Sequence, residues 1–312
     1  MTYLNSNDKP IVAVLYGGFS GEREVSIRSG EAVARGLKEA GISACLVDIV
    51  DDSWQWPDKA NMAFLALHGR YGEDGTIQAR LESLGIPYTG SDSKSSALAF
   101  DKSLARKVFS QAALPVARGC VLSHPESSLP DDMKFPVVIK PVADGSSLGL
   151  EFVDGPDEWP QSLKRSLSSG TSELVEERIF GREFTVGIFD DKTLPVIEIK
   201  AAAGGYNYTN KYTKGGSTHI CPAELDENLT NLVSDLALQA FRALNCRHYG
   251  RVDVMCTDEG DPYILEVNTL PGMTELSLFP EAAGVSGVPF HELVSRMVYL
   301  AIESPPTITK PI

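Results

Sequence analysis

The alternation of apolar runs in its first third is what most limits how this chain can fold. Residues 11–16 form a short continuous apolar run closed by Gly17-Gly18. That is the pattern of a strand covered on both faces of a parallel sheet. Val25, Ser29, Ala32, Val33, Gly36, Leu37 and Ala40 then recur at the spacing of one helix face, and Gly41 is placed to stop that helix. Residues 44–49 and 62–67 read as further strands and 77–84 as another helix. Strand–helix–strand succession of this kind implies an open, doubly wound parallel sheet. Ligands of such sheets sit beyond the C-terminal ends of the strands, where Gly17-Gly18 and His68-Gly69 fall.

The grammar then changes. Residues 93–100 and 101–112 read as helices, and Leu114-Pro115 ends the second. Strands follow at 135–140 and 174–177, with a glycine–serine loop between them. From about Arg182 the character is α+β: strands at 184–188 and 193–200, a polar, tyrosine-rich loop near 203–218 and a helix at 228–244. A hairpin and a closing helix near 290–303 complete the series. Boundaries near 92 and 182 give units 1–92, 93–182 and 183–312, a division that 312 residues readily support.

The formal net charge of −14 comes without any cluster of Lys and Arg, which argues against nucleic acid as the partner. A few local lysines and backbone N–H groups still suffice for a nucleotide. No apolar run reaches the roughly 18–20 residues that span a bilayer, and no secretion signal is read at the start. Five scattered cysteines without CxxC spacing predict reduced thiols, a cytosolic protein and no zinc site.

The sharpest local signal is the stretch from Arg251 to Asn268. Arg251-Val252-Asp253-Val254 alternates in period two, and Asp258-Glu259-Gly260-Asp261-Pro262 turns the chain back. On the return strand the period predicts Ile264, Glu266 and Asn268 on one face, with Tyr263, Leu265 and Val267 on the other. With the valine faces on a core, Asp253, Glu266 and Asn268 converge on the opposite side. Three oxygen side chains on rigid strands suit a hard cation such as Mg²⁺; an ordinary solvated sheet face fits the same pattern.

Other segments are weaker alone. Gly145-Ser146-Ser147-Leu148-Gly149 after a strand ending in Lys140 suits a triphosphate, or is a plain turn. It has neither the P-loop ending nor the dinucleotide fingerprint. Glu22 lies in a first helical turn, where the helix dipole favours a carboxylate; a substrate ammonium is the functional alternative. His68, in a glycine-rich loop, and Tyr212, beside Lys211, have equally ordinary structural explanations. No Cys-His or Ser-His-Asp arrangement is legible.

Taken together, GGFSGEREVS, ALHGRYGEDG, YTGSDSKSSALAFDK, PVVIKPVADGSSLGL, EFTVGI, NKYTKGGSTHICPAEL, GRVDVM and LEVNTLPGMTELS run in collinear order over nearly the whole chain. This set resembles the D-alanine–D-alanine ligases of the ATP-grasp group. The resemblance implies an ATP-grasp fold behind an N-terminal parallel-sheet domain. It also implies ATP-dependent joining of two D-alanines through a D-alanyl phosphate, for peptidoglycan precursors, in a cytoplasmic homodimer.

The same resemblance assigns roles. Lys102, Lys140, Ser147 and Lys211 are expected near the phosphates of ATP, and Glu176 and Glu183 at adenine and ribose. Asp253, Glu266 and Asn268 are expected to hold two Mg²⁺ (or Mn²⁺) ions. Glu22 is expected at the first D-alanine's ammonium and Ser277 at the second's carboxylate. Arg251 and the Gly272 N–H are expected at the oxyanion, and Glu22, Ser146 and Tyr212 are expected to close a loop over the site. Arg178 departs from the aromatic or apolar residue frequent near the adenine, so cation–π stacking is expected there. An ester-forming D-alanine–D-lactate ligase and a silent ATP-binding scaffold are the competing readings. Tyr212 in its KY context argues against the first, and the presence of Arg251, Asp253, Glu266 and Asn268 against the second.

Overall fold

The computed structural model describes residues 9–144, 149–169, 172–201, 217–275 and 277–304. Strand β1 (Ile11–Gly17) lies between β2 (Ser43–Ile49) and β3 (Met62–Leu65), all parallel. Val12, Ala13, Val14 and Leu15 have no solvent exposure, which is why the run is apolar without alternation. The third strand is shorter than the apolar run that announced it, although Ala66 still donates its N–H to Leu15. Helices α1 (Arg23–Glu39) and α2 (Thr76–Leu84) complete this unit.

Helix α3 (Ser93–Phe100) is capped by Asp92 and α4 (Lys102–Gln111) by Asp101, whose side chains accept the first free N–H groups. A four-stranded antiparallel sheet follows in the order β4 (Gly119–Leu122), β7 (Glu173–Glu177), β5 (Val137–Pro141), β6 (Glu151–Val153). Helix α5 (Trp159–Ser166) packs on it through Trp159 and Leu163.

The third sheet has its path in the order β11 (Ser217–Ile220), β10 (Ile197–Ala201), β8 (Arg182–Phe189), β12 (Tyr249–Cys256), β13 (Pro262–Asn268), with β9 (Lys192–Thr193) paired to β8. The strand expected over 193–200 is thus two, broken at Leu194-Pro195-Val196 because proline cannot donate to a ladder. Helix α6 (Glu227–Ala243) covers one face, packing Val233, Ala237 and Phe241 on Val252, Val254, Ile264 and Val267.

Helices α7 (Leu278–Val285) and α8 (Phe290–Glu303) return the chain to the first unit. Leu293, Val294 and Val298 share one core with Val12, Val33 and Leu37. Gly36 makes this approach possible: a Cβ there would sit 3.0 Å from Phe290 and Val294 side-chain carbons. The α/β and α+β character read from the sequence is therefore present as one parallel and two antiparallel sheets. Helix α8, the last described element, is thus packed against α1.

The hairpin corrects one expectation. Asp253 pairs with Glu266, but Val254 pairs with Ile264, so Leu265 is the extra residue of a β-bulge. The bulge resets the phase: Ile264 joins the core beside Val267 and does not share the face of Glu266 and Asn268.

Candidate active site

Across the central strands, side chains line up in rows. Thr185, Asp253 and Glu266 are abreast on β8, β12 and β13, and Gly187, Arg251 and Asn268 form the next row. Behind them Val252 and Val254 are fully buried, which fixes the orientation of the polar face. Asp253 is itself only 3% exposed, so its charge requires partners. Arg251 supplies a two-pronged pair, Nε to Oδ1 and Nη2 to Oδ2, both at 2.9 Å, and the Thr185 hydroxyl donates to Oδ1 at 2.6 Å.

Glu266 has Lys102 Nζ at 3.5 Å from Oε2, and the same ammonium donates to the Asp144 carbonyl at 2.7 Å. The Asp101 cap fixes the start of α4 and therefore the place of Lys102. Arg106, one turn later on the same helix face, reaches Glu176, and Lys140 pairs with the other oxygen of that carboxylate. Glu176 is thus enclosed between two cations and 6% exposed. Glu183 lies on β8 opposite Met255. Arg178 sits over Phe152 at 4.3 Å and over Phe180 at 4.8 Å from the ring centroids, so its guanidinium stacks on protein rings.

The loop after β13 carries the remaining candidates. Asn268 Oδ1 accepts the Leu270 N–H at 3.1 Å. Ser277, at the N-terminus of α7, accepts the Thr274 N–H at 3.0 Å and bonds the Thr274 hydroxyl at 2.8 Å. Gly272 packs so close that a Cβ would meet Ser277 Oγ at 2.8 Å. Facing this loop is the N-terminal end of α1. Glu22, 6% exposed, precedes the helix, and a Cβ on Gly69 would come within 2.7 Å of its Oε2, so the glycine lets the loop after β3 close on that carboxylate. Ser146, Ser147, Lys211 and Tyr212 lie outside the described residues.

Two carboxylates and an amide oxygen on adjacent rigid strands, each carboxylate already matched by a cation, form a hard-oxygen donor set that fits Mg²⁺. Among the described residues no cluster of three or more His, Cys, Asp or Glu offers a competing site. Sequence reasoning missed Arg106 and Thr185. The four-residue spacing from Lys102 to Arg106 on one helix signalled the first, and the row position opposite Asp253 emerges only from strand pairing.

Buried titratable groups flank this region. Glu173 is pushed up to about 7, chiefly by burial and then by the charges of Glu151 and Asp144, and its Oε2 has no hydrogen-bond partner among the described residues. His248 is pulled down to about 4 by burial and by Arg247. A neutral ring suits its contacts, since Nδ1 accepts the Gly90 N–H and Nε2 faces the Ser304 carbonyl.

Comparison with known proteins bears on the same segments. A family model described as D-ala D-ala ligase C-terminus matches residues 110–299, and one described as D-ala D-ala ligase N-terminus matches 55–91. D-alanine–D-alanine ligase from Methylacidiphilum infernorum is 45% identical over 290 residues, covering 93% of this chain and 95% of that one. The enzyme of that name from Geobacter sulfurreducens is 44% identical over 298 residues, covering 93% of each chain. The crystal structure of D-alanine–D-alanine ligase from Bacillus anthracis complexed with ATP aligns with a TM-score of 0.82 at 32% identity, covering 94% of this chain and 98% of that chain. The fold is accordingly the ATP-grasp fold preceded by a parallel-sheet unit, and the chain belongs to the D-alanine–D-alanine ligase family.

Proposed function

We infer that this protein is an ATP-dependent ligase that joins two D-alanines into D-alanyl-D-alanine for peptidoglycan precursors. The observation that carries the reading is the row of Asp253 and Glu266 with Arg251 and Lys102, in a chain so similar to named ligases along nearly its whole length. The carboxylate of the first D-alanine attacks the γ-phosphorus of ATP, giving D-alanyl phosphate and ADP. The amine of the second attacks the acyl carbon and expels phosphate. Such chemistry needs positioning and charge neutralisation, not a protein nucleophile.

In this reading Glu22 receives the first ammonium and Ser277 the second carboxylate, while Arg251 and the Gly272 N–H stabilise the oxyanion. Lys102, Lys140, Ser147 and Lys211 serve the phosphates. Glu176 and Glu183 serve the adenine and ribose, and Glu176 is held between Lys140 and Arg106. Asp253, Glu266 and Asn268 hold two Mg²⁺ or Mn²⁺ ions, which when bound neutralise phosphate charge. Glu22, Ser146 and Tyr212 close the site against water. The units 1–92, 93–182 and 183–312 carry substrate, nucleotide and metal functions in turn.

Among the described residues no helix is long and apolar enough to cross a membrane. We place the enzyme in the cytoplasm as a homodimer, and molar mass by light scattering tests the second point. Incubation with ATP, Mg²⁺ and D-alanine, with and without D-lactate, tests the reaction: dipeptide and phosphate are expected from D-alanine alone, and a strict need for D-lactate contradicts the reading.

A further inference from the structure

Helix α1 carries a buried polar stripe. Glu22, Ser26 and Ser29 follow at i, i+4 and i+7, the spacing of one helix face. All three are buried: the first is 6% exposed and the two serines 0%. Ser26 is accounted for by local structure, accepting the Gly17 N–H at 2.8 Å and donating to the Ala66 carbonyl at 2.6 Å. Ser29 instead reaches out of its unit. Its Oγ accepts the N–H of Met273, 244 positions along the chain, at 3.2 Å, and lies 3.3 Å from His68 Nε2.

The direction of this chain of contacts is set by the His68 tautomer. His68 Nδ1 lies 3.9 Å from Glu73 Oε1, and the other oxygen of that carboxylate accepts the Gly69 N–H at 3.0 Å. In the tautomer whose proton is on Nδ1, facing the carboxylate, Nε2 accepts the Ser29 hydroxyl proton. The lone pairs of Oγ then take the Met273 N–H. Glu73, His68 and Ser29 have the order of a catalytic triad, absent from the sequence reading because the three are scattered. A serine with no solvent exposure that already accepts an amide N–H is no nucleophile. Its single hydroxyl sets two things together: the imidazole at the end of β3 and the Gly272–Met273 segment of the loop after β13.

We propose that Ser29 is a positioning residue of the ligase reaction, holding the Gly272–Met273 loop in the geometry that directs D-alanyl phosphate to the second amine. The inference rests on the function proposed above, in which the Gly272 N–H serves the oxyanion. Methionine 273 is the next residue, so its N–H anchor limits where the Gly272 peptide can move. Displacing a reacting geometry by about 1 Å costs roughly 10²-fold in rate. A mislaid loop leaves the first step intact and slows the second, so D-alanyl phosphate and water give back D-alanine and phosphate.

The test is the ratio of phosphate released to dipeptide formed, measured with ATP, Mg²⁺ and D-alanine for the full chain and for Ser29→Ala. The expected result is a dipeptide turnover about 10- to 100-fold lower, an unchanged KM for ATP, and a ratio well above the value of one expected for the unaltered protein. A merely structural role lowers the active fraction without moving the ratio. A ratio of one in Ser29→Ala, whatever its rate, overturns the proposal. Should the alanine variant not accumulate folded, Ser29→Cys, which keeps the volume and bonds weakly, is judged by the same ratio. If the unaltered protein makes no dipeptide, it is the proposed function that fails.

Discussion

The hairpin end of the site is held by matched charges, whereas at the α1 end the Arg23–Asp48 pair is accompanied by hydroxyls that carry most contacts to the neighbouring loops. At β12 and β13, Asp253 faces Arg251 and Glu266 faces Lys102, and behind them Glu176 lies between Lys140 and Arg106. At α1, Ser20, Ser26 and Ser29 bond carbonyls, amides and an imidazole. Charge on flat strands has no local backbone partner, so each carboxylate requires a cation from a neighbouring row or element. The end of a strand and the start of a helix offer free N–H and C=O groups, which hydroxyls satisfy without net charge. Phosphoryl chemistry belongs at the first end, and precise placement of a small zwitterion at the second.

Breaking a matched pair is expected to have the largest effect. Asp253→Asn removes the charge that compensates the half-buried Arg251 and turns an anionic metal ligand into a neutral amide oxygen. Turnover should fall on the order of 10³-fold, and stability should drop by about 3–5 kcal/mol in urea unfolding. Arg251→Ala should lower kcat about 10²-fold with little change in KM for ATP, because its role falls in the second step; unchanged turnover would remove it from the oxyanion.

At the hydroxyl end Ser26, whose partners are both local, should respond in stability more than in chemistry, unlike Ser29, which reaches the loop after β13. Ser26→Ala strands the buried Gly17 N–H and Ala66 carbonyl, and a loss of about 1–3 kcal/mol is expected with kcat nearly unchanged. A large kcat loss in Ser26→Ala at constant stability would contradict the local role given to this hydroxyl.

The smallest effects concern buried groups beside the site and depend on pH. Glu173, raised to about 7 from an ordinary 4.5, favours the protonated folded form. Its contribution to stability is full below 4.5 and is lost as pH rises through about 7. Glu173→Gln should therefore raise Tm by a few degrees near pH ~8 and leave it unchanged near pH ~4. His248 has the opposite sign: lowered to about 4 from 6.5, it stabilises above 6.5 and the benefit is lost as pH falls through about 4.

Much of this was legible in residue order. The continuous run of β1, the helical face of α1 and the alternation of β12 announced themselves because periodicity is local. So was the outline of the site, since Asp253 and Glu266 do face each other across the hairpin. The phase of β13 was not legible, because the bulge at Leu265 is set by pairing with β12 and not by its own sequence. Strands β4 and β6, of four and three residues, are too short for a period to show and are held by their neighbours. The contact from Ser29 to Met273 joins residues 244 positions apart, a separation over which no pattern in the order of residues speaks.

The central claim is that the polar face of β12 and β13 serves transfer of the γ-phosphoryl group onto a D-alanine carboxylate. The direct test uses D-alanine labelled with ¹⁸O in both carboxylate oxygens, with ATP and Mg²⁺, and reads the released phosphate by mass spectrometry. Attack by the carboxylate predicts one ¹⁸O in each phosphate, carried over when the acyl phosphate is cleaved at its carbon. Unlabelled phosphate accompanying dipeptide would contradict the account.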